Sequence, residues 1–120
     1  MKIAVIGAGA AGIMAALNAA RGGAEVTLFE RNPVIAKKIL VTGAGRCNLG
    51  NRAVSPAAYH CADAEWTAKF LDRFGAAELR DQFEKLGIPL MTTDDGWYYP
   101  LSQSARSVAE ILEERLREGG

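Results

Sequence analysis

The chain has 120 residues, 49% of them apolar and 23% charged, and its 14 basic side chains are balanced by 14 acidic ones. That length suffices for one domain with a buried core, and the charge balance argues against a nucleic-acid footprint or an electrostatic membrane anchor. Two cysteines outside any CxxC pair, Cys47 and Cys61, and the single histidine His60 argue against a disulfide framework and most zinc sites, and leave His60 as the sole imidazole for any Ser-His-Asp or Cys-His scheme built within this chain.

The near-uncharged run from Ile3 to Ala20 imitates a secretory h-region, but Gly7, Gly9 and Gly12 interrupt it and a single lysine precedes it. It reads better as structure. Lys2–Gly7 (KIAVIG) is a short β-branched run ending at glycine, the pattern of a buried parallel strand. Ala10 to Arg21 is alanine-rich, apolar nearly all round and stopped by Gly22–Gly23, which predicts a buried helix. Glu25–Glu30 (EVTLFE) is a second strand, with Val26 and Leu28 on one face and Thr27 and Phe29 on the other. Strand, helix and strand in this order imply a right-handed crossover and a parallel pair.

From Arg31 to about Ala58 the chain carries Pro33, Lys37–Lys38, the stretch TGAGRCNLGN and Pro56. It reads as a long loop with a short helix around Ile35–Leu40, and a loop of that length is usually functional or disordered. Asp63 then caps a helix carrying Trp66, Phe70, Leu71 and Phe74. A second helix, Ala76 to Leu86, places Leu79, Phe83 and Leu86 on one face and an Asp81–Lys85 pair outside. Leu90 to Tyr99 predicts a hairpin turning at Asp95–Gly96. A last amphipathic helix, about Ser104 to Glu118, turns Val108, Ile111, Leu112 and Leu116 inward. Two parallel strands cannot bury such faces alone, so the chain is expected to be the N-terminal part of a longer protein.

The chemistry lies at Gly7-Ala8-Gly9-Ala10-Ala11-Gly12. Gly7 allows the tight turn, Gly9 leaves room for a pyrophosphate against the backbone, and Gly12 lets helix and strand pack closely. The amides around Ala10 and Ala11 then face the phosphates, with the helix dipole behind them. GxGxxG alone is a weak signal. Here it follows a strand, opens a helix and is followed, eighteen residues beyond Gly12, by Glu30 at the end of the next strand. A carboxylate there accepts from both ribose hydroxyls of an adenosine and repels a 2′-phosphate, which disfavours NADP at this site. Arg31 covers the adenine or lies on the surface. These residues specify an adenosine dinucleotide and leave NAD and FAD both open.

The start MKIAVIGAGAAGIMAALNAARGGAEVTLFER, the segment AKKILVTGAGRCNLGN and the stretch DGWYYPLSQSARSVAEILEERL together resemble the BaiN/YhiN-type NAD(P)/FAD-dependent oxidoreductases, also known as aminoacetone-oxidase-family FAD-binding enzymes. The most specific piece is KK-x-L-x-T-G-x-G-R-C-N, matched by Lys37, Lys38, Leu40, Thr42, Gly43, Gly45, Arg46, Cys47 and Asn48. Members are much longer chains whose flavin domain is interrupted by inserted domains. The resemblance implies an α/β fold: a Rossmann-like FAD-binding βαβ unit, then a mainly helical segment with a short hairpin. Residues 1–120 would be the N-terminal part of that domain, with 1–31 the fingerprint, 32–60 a cofactor-contacting loop and 61–120 the helical segment.

It further implies that Glu30 binds the FAD ribose and that Lys38 and Thr42–Asn48 lie along the cofactor. Gly43 and Gly45 permit a backbone nest for an anion, Lys38 and Arg46 offset pyrophosphate charge, and Arg46 also reaches flavin oxygens. One departure stands out. Asn32-Pro33-Val34-Ile35-Ala36 precedes the lysines, where many members have a glycine and a further basic residue.

Cys47 beside Arg46 suggests a thiol of lowered pKa, although packing in a tight loop is the simpler reading. Trp97, Tyr98 and Tyr99 are read as packing rather than as a flavin platform. The expected protein is a cytoplasmic flavoprotein oxidoreductase, reduced by NAD(P)H in its full-length form and acting on a small molecule, with no nucleic-acid or membrane partner and no metal. No residue stands out as the catalytic acid or base, and the piece alone is expected to be inactive and to hold FAD weakly. The alternatives are an NAD-dependent dehydrogenase, or a non-catalytic flavin-binding or redox-sensing module.

Overall fold

In the computed structural model, which describes residues 1–119, the chain forms two compact units. One comprises residues 1–47 and 102–119, the other residues 48–101.

The first unit is built on strands β1 (Lys2–Ile6) and β2 (Glu25–Phe29), paired in parallel from Lys2↔Glu25 to Ile6↔Phe29. Side chains alternate between sheet faces, so Ile3, Val5, Val26 and Leu28 share one side and are half-buried, while Ala4, Ile6, Thr27 and Phe29 on the other are exposed. Helix α1 (Ala10–Arg21) covers the first side and buries Ile13, Ala16 and Leu17. The alternation in β2 and the helix bounds are those expected, but β1, expected as a buried strand, is covered on one face only, and Ile6 on the other is 80% exposed.

Between residues 31 and 47 the expected helix at Ile35–Leu40 gives way to a 3₁₀ segment, Ile39–Gly45, broken at Thr42–Ala44. Within the expected helix Ala36 takes a left-handed φ of 56°, which interrupts it, and the break further on has the same cause. Gly43 and Ala44 both take left-handed φ of 54°, which no right-handed helix accommodates. The last helix of the chain (Ala105–Glu118) packs against α1 and this segment, with Ala105, Val108 and Leu112 buried. Ser104 caps it by accepting from the Ser107 N–H at 3.3 Å.

The second unit opens with β3 (Gly50–Asn51), a two-residue strand too short to be signalled by any periodicity. Helix α2 (Ala64–Arg73) follows, with Asp63 accepting from the Trp66 N–H at 2.8 Å, and then α3 (Ala76–Lys85), with the Asp81–Lys85 pair at 2.6 Å. Strands β4 (Leu90–Thr92) and β5 (Trp97–Pro100) make the expected hairpin, and β3 adds to the far edge of β5, giving the order β3-β5-β4. Phe83, Leu86, Ile88, Leu90 and Tyr98 are its buried core. Helix α4 is the Ala105–Glu118 helix of the first unit.

The aromatic stripe on α2 forms, but the second unit does not bury it. Trp66 and Phe70 stack at 5.4 Å between ring centres and are 58% and 49% exposed. Periodicity fixes which side chains share a helix face and leaves open whether that face is covered. Among the described residues no helix is long and apolar enough to cross a membrane, and no three metal-ligating side chains cluster.

Candidate functional site

The site grows from the turn between β1 and α1. Gly7 leaves the strand at φ +94°, and its N–H still donates to the Phe29 carbonyl at 2.7 Å. Gly12 faces back onto this turn so closely that a Cβ there would stand 1.8 Å from the Gly7 carbonyl oxygen. Helix α1 begins at Ala10 with Gly9 as its N-cap and no capping side chain, and the Ile13 N–H makes a first-turn bond to Gly9 O at 2.9 Å. The amides of Ala10, Ala11 and Gly12 precede that bond and have no intrahelical acceptor. No acidic side chain occupies the first turn. Around Gly9 there is open space, since a Cβ would meet nothing within 4 Å.

Glu30 follows β2 and lies half-buried beside this turn. Its Oε2 accepts from the Ala8 N–H at 2.8 Å. Its Oε1 accepts from the Asn32 N–H at 2.8 Å and from Asn32 Nδ2 at 2.6 Å. These bonds, with the Asn32 N–H the largest and the Ala8 N–H next, pull the carboxyl from 4.5 down to about 2 against a smaller opposing effect of burial. The Arg31 N–H adds a smaller contribution of the same sign. A carboxylate offers about four acceptor positions, and Oε2, with one of the three close bonds against two on Oε1, is the less engaged oxygen.

Ala36, buried and at φ 56°, donates its N–H to the Ala8 carbonyl at 2.8 Å. That bond ties the linker back to the glycine turn. The result is a cavity of about 380 Å³ lined by Ala8, Gly9, Glu30, Asn32, Lys37, Lys38 and Val41. Of the expected residues it brings together Gly9, Glu30 and Lys38. Gly7, Ala10, Ala11 and Gly12 shape the turn and helix start behind it, and Arg31 is exposed and does not line it. Asn32 and Lys37 were not anticipated as site residues. An Asn two positions after the acid and just before Pro33 was the available signal, because such a side chain often bonds locally to its neighbours.

Within the Thr42–Cys47 loop several polar groups bond to one another. The Arg46 N–H donates to Gly43 O and the Cys47 N–H to Thr42 O, both at 3.1 Å, so these two amides serve the loop itself rather than an anion nest. Thr42 Oγ1 donates to Ile39 O at 2.7 Å, and Arg46 Nε to Gly43 O at 3.4 Å. Cys47 is buried, and burial pushes its thiol up, with a smaller opposing effect from Thr42; the thiol is not activated by its neighbour Arg46. In the second unit Asn48 accepts from the Gly50 N–H at 3.1 Å. Tyr98 there is core, while Trp97 is 43% exposed. His60 and Cys61 are exposed, and the Cys61 thiol is lowered, chiefly by the Thr67 hydroxyl.

A strand, a glycine turn with an uncapped helix start and an acid at the next strand end are the parts of a dinucleotide-binding Rossmann unit. The family described as the HI0933-like protein Rossmann domain matches residues 1–120. The chain belongs to this family. It is also 45% identical over 118 residues to a 3-dehydro-bile acid delta(4,6)-reductase of Clostridium scindens, covering 97% of this chain and 29% of that protein. Ribosomal RNA dihydrouridine synthases of Escherichia coli and Haemophilus influenzae are 31% and 30% identical, over 96% and 97% of this chain and 28% and 29% of theirs. The chain thus spans less than a third of the length of these curated relatives.

The residues present fit the adenosine half of the FAD that the family resemblance implies. Glu30 keeps an acceptor position for a ribose hydroxyl, the uncapped amides of α1 suit a pyrophosphate, and Lys37 and Lys38 supply the opposite charge.

Proposed function

We propose that this chain is the FAD-binding part of a cytoplasmic flavoprotein oxidoreductase that takes its electrons from NAD(P)H. The observation that carries the reading is the clamped Glu30 carboxylate, sharing one cavity with Gly9, Lys37 and Lys38 beside the uncapped start of α1. In this reading Oε2 of Glu30 accepts from the adenosine ribose, and the amides of Ala10, Ala11 and Gly12 donate to the pyrophosphate. The ammonium groups of Lys37 and Lys38 balance its charge. The fixed negative charge of Glu30 also opposes a 2′-phosphate, which favours FAD over NADP as the resident dinucleotide. Bound FAD supplies the hydride-transfer chemistry, and the protein supplies binding and orientation.

Residues 1–31 act as the fingerprint and 32–60 as the loop that runs on from it, with 61–120 as the helical segment. For the reaction class we rely on the relatives' names. A delta(4,6)-reductase and a dihydrouridine synthase both describe the addition of hydrogen across a double bond, and we extend that class, reduction of an unsaturated ring, to this protein. The greater identity to the bile-acid reductase and the balanced charge of the chain favour a small-molecule substrate over RNA.

The full-length protein, once purified, is expected to be yellow, with flavin absorption bands that bleach on anaerobic mixing with NADH or NADPH. A colourless protein that takes up NAD instead overturns the FAD reading. A yellow protein that neither nucleotide bleaches overturns the NAD(P)H-dependent reductase and leaves a passive flavin binder.

A further inference from the structure

We propose that Asn32 is a positioning residue of the adenosine site: its main-chain and side-chain N–H groups hold Oε1 of Glu30, leaving Oε2 to read the ribose. The two bonds measure 2.8 and 2.6 Å, and the Ala8 N–H steadies Oε2 at 2.8 Å. This inference rests on the dinucleotide reading above and goes beyond it, because neither the fingerprint nor Glu30 itself specifies how the carboxylate is oriented.

The need for a positioning residue follows from the torsions of glutamate. Its terminal χ3 is broad and roughly two-fold, so nothing within Glu30 fixes the plane of the carboxylate. The Ala8 N–H alone makes a single bond, about which the carboxylate can pivot. Asn32 supplies the second anchor at the opposite oxygen. Pro33 restricts the backbone of Asn32 and so limits the ways in which both its donors can leave Glu30. The charged groups that share the cavity with Glu30 are Lys37 and Lys38. Both are flexible ammonium groups that can neutralise the carboxylate without orienting it.

The predicted consequence is loss of ribose reading when the Asn32 amide is removed, although every group expected to touch the ligand remains. Asn32→Ala deletes the side-chain donor. Asn32→Asp keeps the shape and the turn preference but sets an acceptor against Glu30, and so separates the donor's role from a purely structural one. The probes are ADP and 2′,3′-dideoxy-ADP, titrated calorimetrically into flavin-free protein, together with a carboxyl ¹³C titration of Glu30.

For Asn32→Ala, ADP binding should weaken by about fivefold to tenfold, as expected for one hydrogen bond to a charged group acting through its neighbour. Asn32→Asp should weaken it further. In both variants the preference for ADP over the dideoxy analogue should narrow and the Glu30 carboxyl should titrate at higher pH. ADP affinity within twofold of the unsubstituted protein, tighter binding, or weaker binding with Glu30 titrating unchanged each overturns the proposal while the dinucleotide reading stands. Failure of the unsubstituted protein to bind ADP overturns both.

Discussion

Two glycine-rich turns stand within the first unit, and they put their backbone donors to opposite uses. The Gly7–Gly12 turn opens α1 without a capping side chain, so the amides of Ala10, Ala11 and Gly12 remain available to an incoming anion. The Thr42–Cys47 turn directs the amides of Arg46 and Cys47 to its own carbonyls at 3.1 Å. Glycine content is similar, yet of these two turns only the first opens an α-helix, whose leading amides meet no capping side chain. The lesson is that glycine spacing reports where a backbone can bend. Ligand binding depends on where its N–H groups go afterwards.

The sharpest way to break the first turn is Gly12→Ala. The new Cβ would stand 1.8 Å from the Gly7 carbonyl oxygen, and that neighbour is backbone and cannot swing aside. A loss of about 3 kcal/mol in unfolding free energy is expected, at the upper end of ordinary overpacking, with ADP binding abolished. Urea unfolding followed by circular dichroism checks the first part. A midpoint equal to that of the unsubstituted protein would show that the turn relaxes freely, and would remove the case for its rigidity.

Glu30→Gln keeps the size of the side chain and removes the charge that the turn organises. ADP affinity should fall by about tenfold to a hundredfold, the range for hydrogen bonds to a charged group. The pH dependence has a definite sign. Because the folded-state pKa of Glu30 lies at about 2, below its ordinary 4.5, its stabilising effect is complete above about pH 4.5 and is lost as pH falls toward 2. Acid unfolding of the protein should therefore shift to higher pH in the glutamine variant than in the unsubstituted chain. Coincident acid transitions would mean that the three bonds to Glu30 do not stabilise the fold.

Much of the first turn was legible in the sequence because its physics is local. The β-branched run Ile3–Ile6, the alanine-rich helix and the alternation around Val26 and Leu28 fixed β1, α1 and β2 to within a residue or two. The second turn was not legible in the same way, since no preference of alanine or cysteine announces the left-handed φ that Ala44 and Cys47 adopt. Asn32 escaped notice for a related reason: its partner, Glu30, was visible as a ligand for the ribose but not as an acceptor already engaged. β3 has only two residues, Gly50–Asn51, and is a strand solely because β5 lies beside it. On α2 the stripe of Trp66, Phe70 and Phe74 was readable as a face, but its exposure was not.

The inward-turned character of the second loop can be read through its cysteine. Burial pushes the Cys47 thiol up, whereas Cys61 is exposed and its thiol is lowered by the Thr67 hydroxyl. With iodoacetamide at pH 8, Cys61 should be alkylated at least about tenfold faster than Cys47, since both thiolate fraction and access favour it. Peptide mass spectrometry over a time course gives the ratio, and Cys47 should become reactive only on unfolding. Equal rates would mean that the loop opens readily and that its amides are not committed to its own carbonyls.

The smallest effect gives the most selective contrast, because one substitution should have opposite signs in the two turns. Ala44 sits at φ 54° in the second turn and is exposed. A left-handed conformation costs an L-residue roughly 1–2 kcal/mol, and glycine removes that cost while losing roughly 0.5–1 kcal/mol more in backbone entropy on folding. Ala44→Gly should therefore stabilise the protein by about 0.5 kcal/mol. Ala10→Gly, in the first turn of α1, gains no such relief and should destabilise by up to about 1 kcal/mol. Paired urea titrations with unchanged slopes measure both. If the two variants shift the midpoint in the same direction, the second turn is not held left-handed at Ala44, and the distinction between a turn that offers its amides and one that keeps them loses its backbone basis.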